Sequence, residues 1–177
     1  MTRRATMLRV VIALLAVSLS VGSVVAQSKQ QVSLRVPIEN LKFGIHQSIE
    51  VGDVPNHIVR VFELHYAVPS NSAPVINGIR LKEAWQRGTA DITDGVGTTS
   101  SYFVYLMENG DKFFVRNEAI IRPAGPEKIA SVGAGHIFGG TGKLGSIQGT
   151  ARNATTFNPK TGVADDAELD IEYSMGR

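Results

Sequence analysis

Between His136 and Gly149 the chain reads His-Ile-Phe-Gly-Gly-Thr-Gly-Lys-Leu-Gly-Ser-Ile-Gln-Gly, five glycines set among two short apolar segments. No other stretch limits the fold so strongly. Glycine enters left-handed or crowded backbone conformations without a Cβ penalty, so this density marks a tight connection between strands. The portion Gly139-Gly140-Thr141-Gly142-Lys143 looks like a nucleotide cradle, but its spacing excludes one. A phosphate loop needs four residues between its glycines, then Lys and a hydroxyl residue for Mg²⁺, all opening a helix. Here Leu144 stands in the hydroxyl position, and Gly145 and Gly149 spoil a following helix. No βαβ unit surrounds the run, which also excludes the dinucleotide pattern. Gly139, Gly140, Thr141, Gly142, Gly145 and Gly149 therefore read as a structural motif.

Around the glycine run, apolar segments of strand length are separated by turn chemistry. Strands are predicted at Leu41 to Val51, His57 to Tyr66, Ile79 to Ile92, Thr98 to Met107, Lys112 to Ile121, Lys128 to Phe138, Ser146 to Phe157 and Ala164 to Met175. Outside the first residues no segment carries a long helical stripe. Eight regularly spaced strands point to an all-β single domain over residues 41–177, a closed antiparallel barrel or a sandwich. Residues 27–40 read as an N-terminal arm, with Gln27 to Gln31 polar and loose. In the last strand Leu169, Ile171, Tyr173 and Met175 alternate with Glu168, Asp170, Glu172 and Ser174, so one face is buried and the other wet. Its expected partner is the segment before Asn158-Pro159-Lys160-Thr161-Gly162, which brings Arg152 to the acidic face.

The first 26 residues carry Arg3, Arg4 and Arg9 ahead of an uncharged apolar run from Val10 to Ala26, the pattern of a secretory signal peptide. Small residues near its end place cleavage before Gln27. An uncleaved anchor is the alternative, disfavoured because Ser18, Ser20, Gly22 and Ser23 dilute a run already short for a bilayer core of ~30 Å. The expected location is secreted or periplasmic, with no stable membrane anchor after cleavage. Without the leader the chain keeps 15 basic against 16 acidic residues, a net charge of −1. The basic balance of the whole sequence thus belongs to the targeting segment and gives no support for a nucleic-acid partner. With no cysteine, neither a disulfide nor a cysteine-linked lipid anchor is possible. About 150 residues still suffice to bury one substantial core.

Asn109-Gly110 is the strongest short hairpin signal, because both residues tolerate the positive φ of a type I′ turn. That turn predicts Met107 opposite Lys112, Leu106 opposite Phe113, Tyr105 opposite Phe114 and Phe103 opposite Arg116. One face then holds Tyr102, Val104, Leu106, Phe113 and Val115 as the core. The other holds Phe103, Tyr105, Met107, Lys112, Phe114, Arg116 and Glu118, aromatics mixed with charges that face either a cavity or a neighbouring subunit. A slip of one residue exchanges every assignment.

The glycine run followed by bulky Leu144 and the small-residue strand Gly145 to Ala151, together with the hairpin from Gly95 to Glu118, resembles the allene oxide cyclase and dirigent barrel superfamily. Dirigent proteins carry a similar Gly-Gly-Thr-Gly-Lys before a bulky apolar residue. Tyr102-Phe103-Val104-Tyr105 through Asn109-Gly110-Asp111-Lys112 is similar to bacterial members of that group. The resemblance spans residues 79–175 and implies an eight-stranded antiparallel barrel with a partly apolar cavity, often assembled as a trimer or dimer. In that superfamily dirigent proteins steer phenoxy-radical coupling, and allene oxide cyclases hold a fatty-acid epoxide as it cyclises. No catalytic residue carries over.

Candidate ligand contacts are Phe103, Tyr105, Phe114, Arg116 and Glu118, with Trp85 and His136 added as aromatic or polar groups near the expected cavity. Glu63 and His65 share a strand face, where a carboxylate can orient an imidazole for proton transfer. His46, His57, His65 and His136 show no metal-ligand spacing, so no metal or other cofactor is expected. No Gly-x-Ser-x-Gly elbow supports hydrolase chemistry. The leading expectation is a barrel binding a small, mainly apolar molecule. A cyclase or dirigent-type activity and a structural, oligomeric role are the alternatives.

Overall fold

The computed structural model describes residues 28–158 and 164–176, so the predicted leader lies outside the described residues, as does most of the turn after Asn158. Its strands are β1 (Gln30–Val36), β2 (Leu41–Glu50), β3 (His57–Ala67), β4 (Val75–Ile76), β5 (Ile79–Thr93), β6 (Val96–Met107), β7 (Lys112–Pro123), β8 (Ile129–Gly140), β9 (Ile147–Phe157) and β10 (Ala167–Met175). All eight strands predicted from sequence are present. The additions are β4, a two-residue pairing with β5, and β1, which occupies much of the segment read as an arm. The inward Val32, Leu34 and Val36 of β1 alternate with polar residues as a strand should, but the run is short and Gln30 and Gln31 mask its start. It pairs with β10 along its whole length, from Gln30 opposite Tyr173 to Val36 opposite Ala167.

The strands follow one antiparallel path, β1-β10-β9-β8-β7-β6-β5-β3-β2. Its two ends, β1 and β2, are consecutive in sequence and joined by only Pro37–Asn40. Four residues with their flanking bonds reach no more than ~18 Å, so the sheet is curled until its edges meet. Side chains of β2 and β9 accordingly line the same cavity. The result is an all-β barrel whose hydrogen-bond ladder stops at a seam between β1 and β2.

The register stacks the inward side chains in rows across the sheet, and the rows differ in size. One row runs Tyr66, Ala84, Tyr105 and Phe113, and the next runs Leu64, Gln86, Phe103, Val115 and Ile137. Tyr105 and Phe113 stack at 4.4 Å and Phe103 lies 5.7 Å from Tyr105, so bulky rings fill this end of the barrel. Leu144, fully buried beyond the glycine run, belongs to the same apolar core. Two rows on, Arg60, Ala90, Thr99, Ala119, Gly133 and Asn153 follow one another across six strands, polar groups separated by the smallest side chains. The small side chain of Ala90 leaves space beside Arg60 and Thr99, where the barrel retains a cavity, while Asn153 and Ala119 fill the space at Gly133.

Of the sequence expectations, the hairpin register is corrected. Phe103 pairs with Val115, Tyr105 with Phe113 and Leu106 with Lys112, one residue away from the predicted ladder. Gly110 has φ +88° while Asn109 keeps a negative φ, so the loop is a type I turn closed by a glycine bulge, Gly110 N–H donating to Met107 O at 3.0 Å. Asn109 accepts the Asp111 N–H at 3.0 Å instead of entering the left-handed region. Phe103, Tyr105 and Met107 therefore point inward, and Tyr102, Val104 and Leu106 point outward. The C-terminal strand matches expectation: Arg152 lies opposite Asp170, and Leu169, Ile171 and Tyr173 are buried.

Candidate functional site

The glycine run joins β8 to β9 through a short 3₁₀ turn, Gly142–Leu144. Asp111 from the neighbouring hairpin fits into this turn. Its carboxylate accepts the Lys143 N–H at 3.0 Å and the Asn109 side-chain amide at 2.8 Å. Thr141 Oγ1 accepts the Lys112 N–H at 2.9 Å, tying the two loops together. Gly142, at φ +53°, is required because a Cβ there overlaps the Asp111 carboxylate. The backbone that resembles an anion cradle thus already holds an anion supplied by the protein. Gly149 has φ +149° and lies so close to Glu172 O that a Cβ has no room. This connection is structural.

The seven candidate ligand residues fall in three places. Phe103 and Tyr105 are inside, at 2% and 0% exposure. Phe114, Arg116 and His136 meet on the outer face of β7 and β8, with Arg116 directly opposite His136. Phe138 joins them, 5.8 Å from the Phe114 ring and 6.0 Å from that of Tyr102. Glu118 is also outside and accepts a hydrogen bond from Ser100 at 2.9 Å. Trp85 lies on the outer face of β5, stacked on His65 at 4.2 Å with the Arg87 guanidinium 4.9 Å from its ring. The one-residue slip of the hairpin separates the set.

The suggested Glu63 and His65 pair does not form. Glu63 accepts from Arg87 at 2.6 Å, and His65 bonds Glu83 at 3.0 Å. Burial opposes ionisation of Glu83, but hydrogen bonds from His65 and Trp85 outweigh it and hold the carboxyl below its ordinary range. His57 lies in the other direction along β3, its two ring nitrogens 2.6 Å from Asp53 and 2.9 Å from Asp91. Both nitrogens facing carboxylates demand the doubly protonated ring. These bonds raise the His57 pKa, and the bond from His57 lowers that of Asp53.

The interior space lies beside Arg60, Ala90, Thr99 and Asn153 of the small-residue row. It measures about 60 Å³ and is lined by Leu41, Phe43, His46, Arg60, Phe62, Tyr66, Gln86, Ala90, Thr99, Ile121, Asn153, Thr155 and Phe157, among others. Typical small-molecule pockets run ~300–1,000 Å³. This cavity therefore admits a few ligand atoms unless β2, exposed along most of its length, moves outward. A larger depression of about 710 Å³ lies on the outer face of β6–β10, where Ile120, Arg152, Glu168 and Asp170 are solvated. The interior cavity is the better site because residues that carry buried polar atoms line it.

Those atoms form two groups. Tyr66 donates its hydroxyl to Gln86 Oε1 at 2.6 Å, Gln86 donates to Ser101 Oγ at 3.0 Å, and Asn117 approaches the same oxygen at 3.5 Å, all buried. Burial pushes the Tyr66 and Tyr105 phenols far above their ordinary pKa, so both stay protonated; the Tyr105 hydroxyl has no partner among the described residues and lies outside the cavity lining. The second group is unpartnered. Thr99 Oγ1, Asn153 Oδ1 and Thr155 Oγ1 are buried without a hydrogen-bond partner among the described residues, and all three residues line the cavity. Sequence reasoning missed them because each is an ordinary polar residue within a strand. Only the pairing register places them around one space.

No known protein family's profile matches the chain, and no curated protein matches it. Among solved structures it is similar to the pterocarpan synthase dirigent protein GePTS1. The two share 15% sequence identity with a TM-score of 0.46, over 86% of this chain and 94% of that one.

Proposed function

We propose that this protein is a binding barrel, acting outside the cytoplasm once its leader is removed, that holds a small, mainly apolar molecule bearing a polar group in its interior cavity. The observation that carries this reading is that Thr99, Asn153 and Thr155, each with a buried oxygen unpartnered among the described residues, line one space walled by Phe43, Phe62 and Phe157. A buried hydroxyl or amide without a partner costs ~1–3 kcal/mol, a cost that a ligand's polar group removes. Apolar walls with a few converging polar atoms are the general form of a small-molecule site. The test is mass spectrometry of molecules released on denaturing protein purified from its native host. A stoichiometric compound supports the reading, and incubating it with the protein distinguishes binding from cyclase or dirigent-type turnover. Protein that is ligand-free from its host and binds no small amphipath refutes it.

Assembly is the second reading, favoured by the outer aromatic cluster. Phe138 is 54% exposed and Tyr102 50%, and both contact neighbouring rings. Aromatic surface of this kind suits a contact with another copy of the chain. Phe138→Asp lowering the sedimentation coefficient supports it; an unchanged monomer in both proteins removes it.

A further inference from the structure

We infer that the mouth of the cavity is an anion subsite in which Arg60 reads the acidic head of a short organic acid while the acid's apolar body enters the barrel. The inference rests on the binding-barrel reading and names the class of ligand. Arg60 lies on the inner face of β3, directly opposite Ser48 of β2, and lines the cavity with Phe62 and Phe43. Its Nε donates to Ser48 Oγ at 2.9 Å, and among the described residues it forms no ion pair. Arg35, Arg80 and Arg87, by contrast, each meet a carboxylate. The remaining arginines of the described residues, Arg116, Arg122 and Arg152, are exposed to solvent. Arg60 alone combines partial burial, a place in the cavity wall and a charge uncompensated by an acidic side chain.

Burial works against the charge of this guanidinium, yet an arginine stays protonated under all ordinary conditions. A half-buried, permanent cation is stabilised by an anion, and its planar fork matches the two oxygens of a carboxylate. His46, nearby on the inner face of β2, is held below its ordinary pKa by burial and by the Arg60 charge. It is therefore neutral at neutral pH, and Arg60 is the one charged group among the residues that line the cavity, a single positive charge suited to a monoanion. The row geometry sets what lies further in. Arg60, Ala90 and Thr99 are opposite one another on three adjacent strands, so Thr99 stands two strand spacings, ~10 Å, from Arg60 across the small side chain of Ala90. An acid whose head sits at Arg60 thus lays its chain past Ala90 toward Thr99, with the exposed strand β2 moving outward to enlarge the space of about 60 Å³.

The experiment compares hexanoate with 1-hexanol, equal in chain length and different in charge, by amide chemical shifts of isotope-labelled, ligand-stripped protein. Hexanoate is expected to bind about tenfold more tightly than hexanol, the effect of one charge-assisted hydrogen-bonded contact. Shifts are expected to centre on Arg60, Thr99, Asn153 and Thr155. Arg60→Gln should reduce the acid-to-alcohol ratio to about one while leaving hexanol binding in place. Should that variant fold poorly, the wild-type protein carries the test by itself, since only acid binding should weaken as salt rises. Equal affinity for the two probes, or a ratio that survives Arg60→Gln, overturns the anion subsite and leaves the cavity reading standing. No binding of either probe at the cavity residues overturns both.

Discussion

Replacing Thr99 by Val should stabilise the ligand-free protein, although the change falls on a buried position. Thr99 is 6% exposed and its Oγ1 has no partner among the described residues. An unpaired buried hydroxyl costs ~1–3 kcal/mol, and a methyl in its place adds up to ~0.8 kcal/mol of apolar burial. The adjoining cavity relieves part of the first cost, so about 1.5 kcal/mol is the expected gain. Val keeps the β-branched shape that suits the strand. For a chain of this size each kcal/mol moves Tm by ~2–4 °C, so a rise of about 3–6 °C is expected by differential scanning calorimetry of stripped protein. Ser101→Ala supplies the contrast, because Ser101 Oγ accepts from Gln86 and Asn117, all buried. Its loss strands two donors and should cost ~1–3 kcal/mol. A Thr99→Val protein that melts lower than wild type refutes the claim that this hydroxyl is unsatisfied, and with it the main support for the ligand cavity.

Other perturbations test separate parts of the structure. His57 has a raised pKa in the fold, so the stability from its two carboxylate contacts is fully present below the ordinary histidine value and is lost as pH rises through the raised one. Urea melts of His57→Gln should fall below wild type in mildly acidic buffer and converge with it at alkaline pH; a pH-independent difference contradicts the clamp. Asp111→Ala removes the acceptor of the Lys143 N–H and the Asn109 amide, and should destabilise by ~1–2 kcal/mol in thermal melts. Asp111→Ala at wild-type Tm speaks against the carboxylate closing the glycine turn. Gly149→Val sets a Cβ against Glu172 O at a positive φ and should prevent soluble expression, whereas Gly110→Asn, in an open turn, should be tolerated. Soluble, wild-type-like Gly149→Val refutes the close-approach argument.

The eight longer strands were legible because their signals are local: β-branched and aromatic runs bounded by glycine, proline and asparagine. The burial of Leu169, Ile171 and Tyr173 followed from strict alternation with charged neighbours, for which only one facing is possible. At β6 alternation was no guide, since Tyr102, Val104 and Leu106 are as apolar as Phe103, Tyr105 and Met107. Two competing faces differ by one residue of register, and the choice depended on the Asn109 and Asp111 contacts that make the turn a bulged type I. The candidate site inherited that ambiguity, so inner and outer residues were grouped together.

Sequence alone thus determined the all-β class and the eight longer strands, because each rests on propensity and pattern within a few residues. Tertiary structure decided the rest. Arg60, Thr99 and Asn153 are far apart along the chain and unremarkable in composition, yet successive pairings across β3, β5, β6, β7, β8 and β9 place them in one row. A cavity arises from register summed over many strands, and no local stretch of sequence encodes that sum.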